Sequence, residues 1–168
     1  DAYRIWEGGE FKGFPGVMRV GIKTFLRITQ GKFPDRVSQI RGLAPGFADM
    51  LPPFDYLKKY KTGEVIPRED MVWVNNYLDG LNDTVESVLS KTGTLTGTGW
   101  DTLRFLRVKD RSEKDKFLNM WEDGKPVGQE TGSGDDTVLV ESGQLTGAVE
   151  NDTAGLHHNE LVSELEGV

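Results

Sequence analysis

At 168 residues and 18.7 kDa the chain has the size of one ordinary domain, and its 36% hydrophobic content comes close to average once its 21 glycines are counted. A net charge of −7 and a pI near 4.9 argue against nucleic acid as a partner, since phosphate binding needs clustered Lys and Arg and the densest charged stretch, Arg107 to Lys116, mixes both signs. The lack of cysteine removes disulfides, thiol nucleophiles and thiolate metal sites and leaves the compartment open between secreted and cytoplasmic, while no run reaches the ~20 apolar residues of a transmembrane segment.

The start at Asp1, with no charged-then-apolar leader, fits a processed or truncated N-terminus. Residues 1–14, rich in Gly, Glu and aromatics, read as a loop or short turn-helix entering something larger. Pro15 suits the first position of a helix, and Met18, Ile22, Phe25 and Leu26 recur at helical spacing within Val17–Ile28. Arg19, Lys23 and Arg27 fall on another face, and Gly31 is a natural stop. Phe33 to Ile40 predicts a second short helix with Pro34 near its start. Pro45-Gly46 and Pro52-Pro53 break the chain around an apolar patch. Within it Phe47, Met50, Leu51 and Phe54 are candidates to line an acyl-binding groove, although such residues are more often simply core.

Met71, Val74, Leu78, Leu81, Val85 and Val88-Leu89 form the longest periodic segment and predict an amphipathic helix, capped by Asp70 and stopped at Gly93. Thr92 to Gly99 reads as a Thr/Gly linker and Leu103 to Val108 as a strand. Asp123-Gly124 is a hairpin turn signal.

The chemistry-bearing stretch is Gly132-Ser133-Gly134-Asp135-Asp136-Thr137-Val138. Its glycines permit a sharp turn at positive φ, with an acidic pair at the tip. The last strand is expected at Thr137–Glu141 or in a short run near Val149. Further on, the only two histidines, His157 and His158, open a short amphipathic helix with Leu161, Val162 and Leu165 on one face. An acid on a strand-end loop followed by a histidine is the order in which α/β-hydrolases complete their triad. There the imidazole takes a proton from a hydroxyl nucleophile, and the carboxylate fixes its tautomer and steadies the imidazolium. A turn pair or a calcium loop would explain the carboxylates, and a zinc pair the histidines. However, the Asp-x-Asp-x-Asp-Gly spacing of a calcium loop is missing, and adjacent residues rarely ligate one ion.

Gly134-Asp135-Asp136-Thr137-Val138, with Glu141-Ser142 and His158, resembles the C-terminal part of the lecithin:cholesterol acyltransferase-like lipases. In that family a Gly-Asp-(Gly/Asp)-Thr-Val segment carries the triad acid and a Gly-hydrophobic-X-His segment the base, which by position implies Asp135 and His158. Asp1-Ala2-Tyr3 with Glu7-Gly8-Gly9 resembles the segment beyond the strand that follows the family's nucleophile elbow, and Pro45–Pro52 resembles its lid region. The resemblance therefore spans most of the chain. It implies an α/β fold, the C-terminal portion of an α/β-hydrolase, with a helical lid or cap region over 1–99 and the last core strands and helices over 100–168. It implies no cofactor.

The chain departs from the family at the nucleophile: no Gly-x-Ser-x-Gly pentapeptide is present, nor an oxyanion-hole segment. The expected partner is an N-terminal hydrolase half carrying that serine, from the same precursor or a separate chain, and the isolated chain is expected to be inactive. The implied substrates are lipid or other acyl esters. The alternative is a non-enzymatic binding or assembly module derived from a hydrolase half-fold, in which Asp135 and His158 would lie far apart. A self-contained enzyme using Ser133 or Ser142 ranks last, because neither sits in an elbow pattern.

Overall fold

The structure, a computed structural model, describes residues 2–11, 14–77, 85, 87–148 and 150–161. The chain is mixed α/β and falls into two compact units that interleave along the sequence. One comprises Asp1–Leu78 with Val108–Val127, the other Asp79–Arg107 with Gly128–Val168. A four-stranded sheet has the order β2-β1-β4-β5, from strands Leu57–Lys59 (β1), Val65–Ile66 (β2), Trp100–Lys109 (β4) and Lys125–Gly134 (β5). The unit boundary cuts β4 after Arg107 and β5 after Val127.

The first unit carries three helices, α1 (Ala2–Gly8), α2 (Gly16–Thr29) and α3 (Arg36–Leu43), and later the short α4 (Glu113–Phe117). Its apolar centre is Ile5, Phe11, Leu26 and Ile40, with Phe14, Ile22 and Phe47 packed against it. The helix expected at Val17–Ile28 is α2, with Pro15 as its cap residue rather than its first turn. The second begins at Arg36 instead of Phe33, because the Asp35 side chain accepts the Ser38 amide at 2.8 Å and so fixes the start. β1 and β2 form an antiparallel hairpin in the register Leu57↔Ile66, turned at Gly63 with φ of 72°. Gly124, at φ 110°, makes the expected turn ahead of β5, but it joins no hairpin, because the residues before it are α4 and turn rather than a strand.

Beneath these elements lies a buried polar cluster. Arg41 donates to Glu7 Oε1 and Glu122 Oε2, both at 3.0 Å, and its guanidinium lies 4.1 Å from the Trp73 ring centroid. The Glu7 side chain is fully buried, and its Oε2 accepts the Asp123 amide at 3.2 Å.

The long helix expected from Met71 does not begin there: Met71–Asn76 are non-helical. The Val72 and Trp73 amides donate to the Asp123 carboxylate at 2.6 and 3.0 Å, and Asn75 Nδ2 donates to the Asp49 and Leu51 carbonyls at 2.7 and 2.9 Å. These long-range bonds hold the stretch out of helical geometry, and a periodic pattern cannot reveal them. Helical residues follow at Tyr77, Val85 and Ser87–Leu89, while Leu78 and Leu81 lie outside the described residues.

The second unit pairs β3 (Gly93–Gly97) with β6 (Glu150–Ala154) in parallel, from Gly93↔Glu150 to Gly97↔Ala154. The Thr/Gly segment expected as a linker is thus β3, its alternating Thr and Leu residues overriding the glycines. Thr137–Glu141 is not a strand. Residues 135–138 bend, Leu139 makes a single antiparallel bridge to Gly134, and Val140–Gly143 is a helical turn, α5. β6 is the short run expected near Val149, and Val149 itself lies outside the described residues. The histidines do not open a helix, since His157 is irregular and 158–160 form a turn, and the rest of the helix expected there, beyond Leu161, also lies outside the described residues. Among the described residues no helix is long and apolar enough to cross a membrane.

Candidate active site

The site lies within the second unit, where the ends of β3, β5 and β6 meet. After β6 the Thr98 amide donates to the Ala154 carbonyl at 2.8 Å, and the chain turns through Gly155 and Leu156 to reach the histidines. β5 ends at Gly134, where a Cβ would run into the Thr102 hydroxyl and the Val138 carbonyl. Gly97 faces a similar limit, because a Cβ there would meet Asp135 Cβ and the Leu156 carbonyl. The two glycines let the acid segment and the histidine segment close on the β3 end. The positive φ expected at the turn falls instead on Asp136, at 76°. Asp tolerates this region because its short side chain bonds locally.

Asp135 is the anchor. It is 1% exposed, and its Oδ1 accepts the Thr137 amide at 3.0 Å and the Val138 amide at 2.6 Å. Its Oδ2 lies 2.9 Å from His158 Nδ1, and its carbonyl accepts the His158 amide at 3.0 Å. Capture of the Thr137 and Val138 amides by the carboxylate is the reason this stretch forms no strand. Burial raises the Asp135 pKa, but the bonds from Val138, His158 and Thr137 outweigh it, and the carboxyl stays below its ordinary value. Against an ionised carboxylate the neutral imidazole donates from Nδ1–H, the tautomer that leaves the lone pair on Nε2. The His158 side chain is 52% exposed, and Nε2 has no hydrogen-bond partner among the described residues.

The two residues implied by the family resemblance are therefore in direct contact. Asp136 and His157 stand beside them in other roles: the Asp136 amide donates to Thr102 Oγ1 at 2.9 Å, and His157 stacks on Trp100 with ring centroids 3.5 Å apart. Ser133 is exposed on β5 with its hydroxyl 3.0 Å from Thr98 Oγ1, and Ser142 lies in α5; neither hydrogen-bonds His158 among the described residues. Phe47, Met50, Leu51 and Phe54 belong to the first unit. Leu51 is fully buried, Phe47 packs on the core cluster, Phe54 is half-buried and Met50 is exposed. No group of three or more His, Asp or Glu among the described residues is placed to hold a metal ion.

Sequence reasoning missed three supports: Gly97, Thr102 and Trp100. Gly97-Thr98-Gly99-Trp100 carried a signal in its glycines, but composition alone marked it as loop. Compared with protein-family models, curated proteins and solved structures, the chain matches none.

Proposed function

We propose that this chain supplies the acid and the base of a serine-hydrolase triad, acting on lipid or other acyl esters, with a nucleophilic serine from an N-terminal hydrolase half. One observation carries the reading: an imidazole whose Nδ1 is held by a buried, amide-anchored carboxylate while its Nε2 stays open. In that arrangement Nε2 takes the serine proton as the hydroxyl attacks the ester carbonyl, then delivers it to the leaving alcohol. Asp135 holds the tautomer and steadies the imidazolium without itself taking the proton. The parallel β3–β6 pair, with the acid and the histidine at its end, supports the C-terminal α/β-hydrolase fold as the frame. The ester class rests on the family resemblance.

The test is the intact mass of every species in the purified protein, together with a fluorophosphonate probe for activated serines. A second, labelled chain bearing a Gly-x-Ser-x-Gly elbow is the expected result, with labelling lost in His158→Ala. Labelling that survives His158→Ala overturns the assignment of the base. A single unlabelled species that stays inert when the N-terminal half is added overturns the hydrolase reading and leaves a non-enzymatic module, one in which Asp135 and His158 are in contact rather than far apart as that alternative expects.

A further inference from the structure

α2 turns its apolar side outward. Val17, Ile28 and Val20 are 88%, 78% and 64% exposed and Phe25 is 53% exposed, whereas Leu26 alone is buried. At 3.6 residues per turn these four share one broad face, away from the narrow stripe of Ile22 and Leu26 that meets the core. Arg19, Lys23 and Arg27 run as a row along one edge of that face. No acid occurs from Gly16 to Phe33, although the chain as a whole carries −7. Arg19, Lys23 and Arg27 have no ion-pair partner among the described residues.

We propose that α2 seats its unit on the surface of an anionic phospholipid bilayer. A basic helix with an exposed apolar face lies in the headgroup plane, apolar side chains at the acyl boundary and cations on the lipid phosphates and carboxylates. Charge complementarity selects this occupant. In an antiparallel two-fold dimer through α2, with the axis across the helices, the cationic rows of both copies would face one another and repel, whereas acidic lipid supplies the opposite sign along the whole edge. Neither Asp135 nor His158 takes part, so membrane binding and the catalytic reading stand or fall separately.

The experiment is co-sedimentation of the full chain with vesicles of phosphatidylcholine and phosphatidylserine in roughly a two-to-one ratio, against phosphatidylcholine alone. Binding is expected only to the acidic vesicles and is expected to weaken as salt screens the headgroups. Phe25→Ser with Ile28→Ser should abolish it. Each of Arg19→Gln, Lys23→Gln and Arg27→Gln should weaken it about fivefold. All five side chains are solvent-facing, and circular dichroism checks that each variant stays folded. Absence of binding, equal binding to neutral vesicles, or binding indifferent to both sets of variants overturns the proposal. A concentration-dependent dimer that the Phe25→Ser, Ile28→Ser variant dissolves, without vesicle binding, assigns the face to a second copy of this chain.

Discussion

His158 is joined to Asp135 twice, by Nδ1 on Oδ2 at 2.9 Å and by its own amide on the Asp135 carbonyl at 3.0 Å. The backbone bond sets where the imidazole stands, and the side-chain bond sets which nitrogen carries the proton. Asp135→Asn keeps the first and alters the second. Nitrogen-15 NMR of neutral His158 should show the Nδ1–H tautomer in the native protein and a shift toward Nε2–H in the variant. In the complemented enzyme the same substitution should lower kcat on the order of 10⁴-fold, because the wrong nitrogen then faces the serine. A native His158 already in the Nε2–H form would refute the orientation.

Asp135→Ala removes more than a partner for histidine. The Thr137 and Val138 amides lose their shared acceptor in a site where Asp135 is 1% exposed. Leaving such donors unpaired costs about 2–4 kcal/mol in all. Because the folded pKa of Asp135 lies below its ordinary value of 3.8, its contribution is present above that pH and is lost as pH falls through the folded pKa. Urea midpoints of native and Ala proteins should therefore differ widely at pH 7 and converge in strong acid. Parallel curves would show that the carboxylate does not anchor the turn.

α2 and the Asp123-Gly124 turn were legible because residue type and spacing act locally, whereas the contact of Asp135 with His158, across 23 residues, was implied only by chain order and the family resemblance. What escaped depends on partners far along the chain. Met71–Asn76 looks helical until Asp123 and Asn75 claim its surroundings. Gly93–Gly97 looks like a linker until β6 arrives beside it, and Thr137–Val138 looks like a strand until a neighbouring carboxylate takes its amides. Only packing distinguishes Leu51, which is buried, from Met50, which is exposed.

Gly97 and Gly134 make a stricter test of the site's geometry. Neither has a positive φ, so an added methyl meets only crowding, at Gly97 from Asp135 and Leu156 and at Gly134 from Thr102 and Val138. Gly97→Ala and Gly134→Ala should each destabilise by about 1–3 kcal/mol. Gly63→Ala, in open space on the β1–β2 turn, should cost only its backbone strain of about 1 kcal/mol. The site variants should also lose the His158 tautomer signature, which Gly63→Ala should keep. Retention of that signature in Gly97→Ala would mean the acid segment has room the geometry denies it.

Glu7 gives the fold a pH dependence of opposite sign to that of Asp135. Burial and the nearby Asp123 carboxylate raise its pKa from 4.5 to about 7, against the pull of the Asp123 amide and Arg41. The folded state thus holds the proton more tightly than the unfolded chain. The associated stability is complete below pH 4.5 and is lost as pH rises through about 7. Glu7→Gln mimics the protonated form, so between pH 4.5 and 8 its stability should gain on the native protein by at most about 3 kcal/mol. Arg41→Ala tests the partner. It leaves an ionised Glu7 buried without its cation, a loss of about 3–5 kcal/mol at pH 8. At pH 5, where Glu7 is protonated, the loss should shrink, and in a Glu7→Gln background it should no longer vary with pH across that range. An Arg41→Ala cost equal at both pH values would place its main role on Glu122 and the Trp73 ring instead.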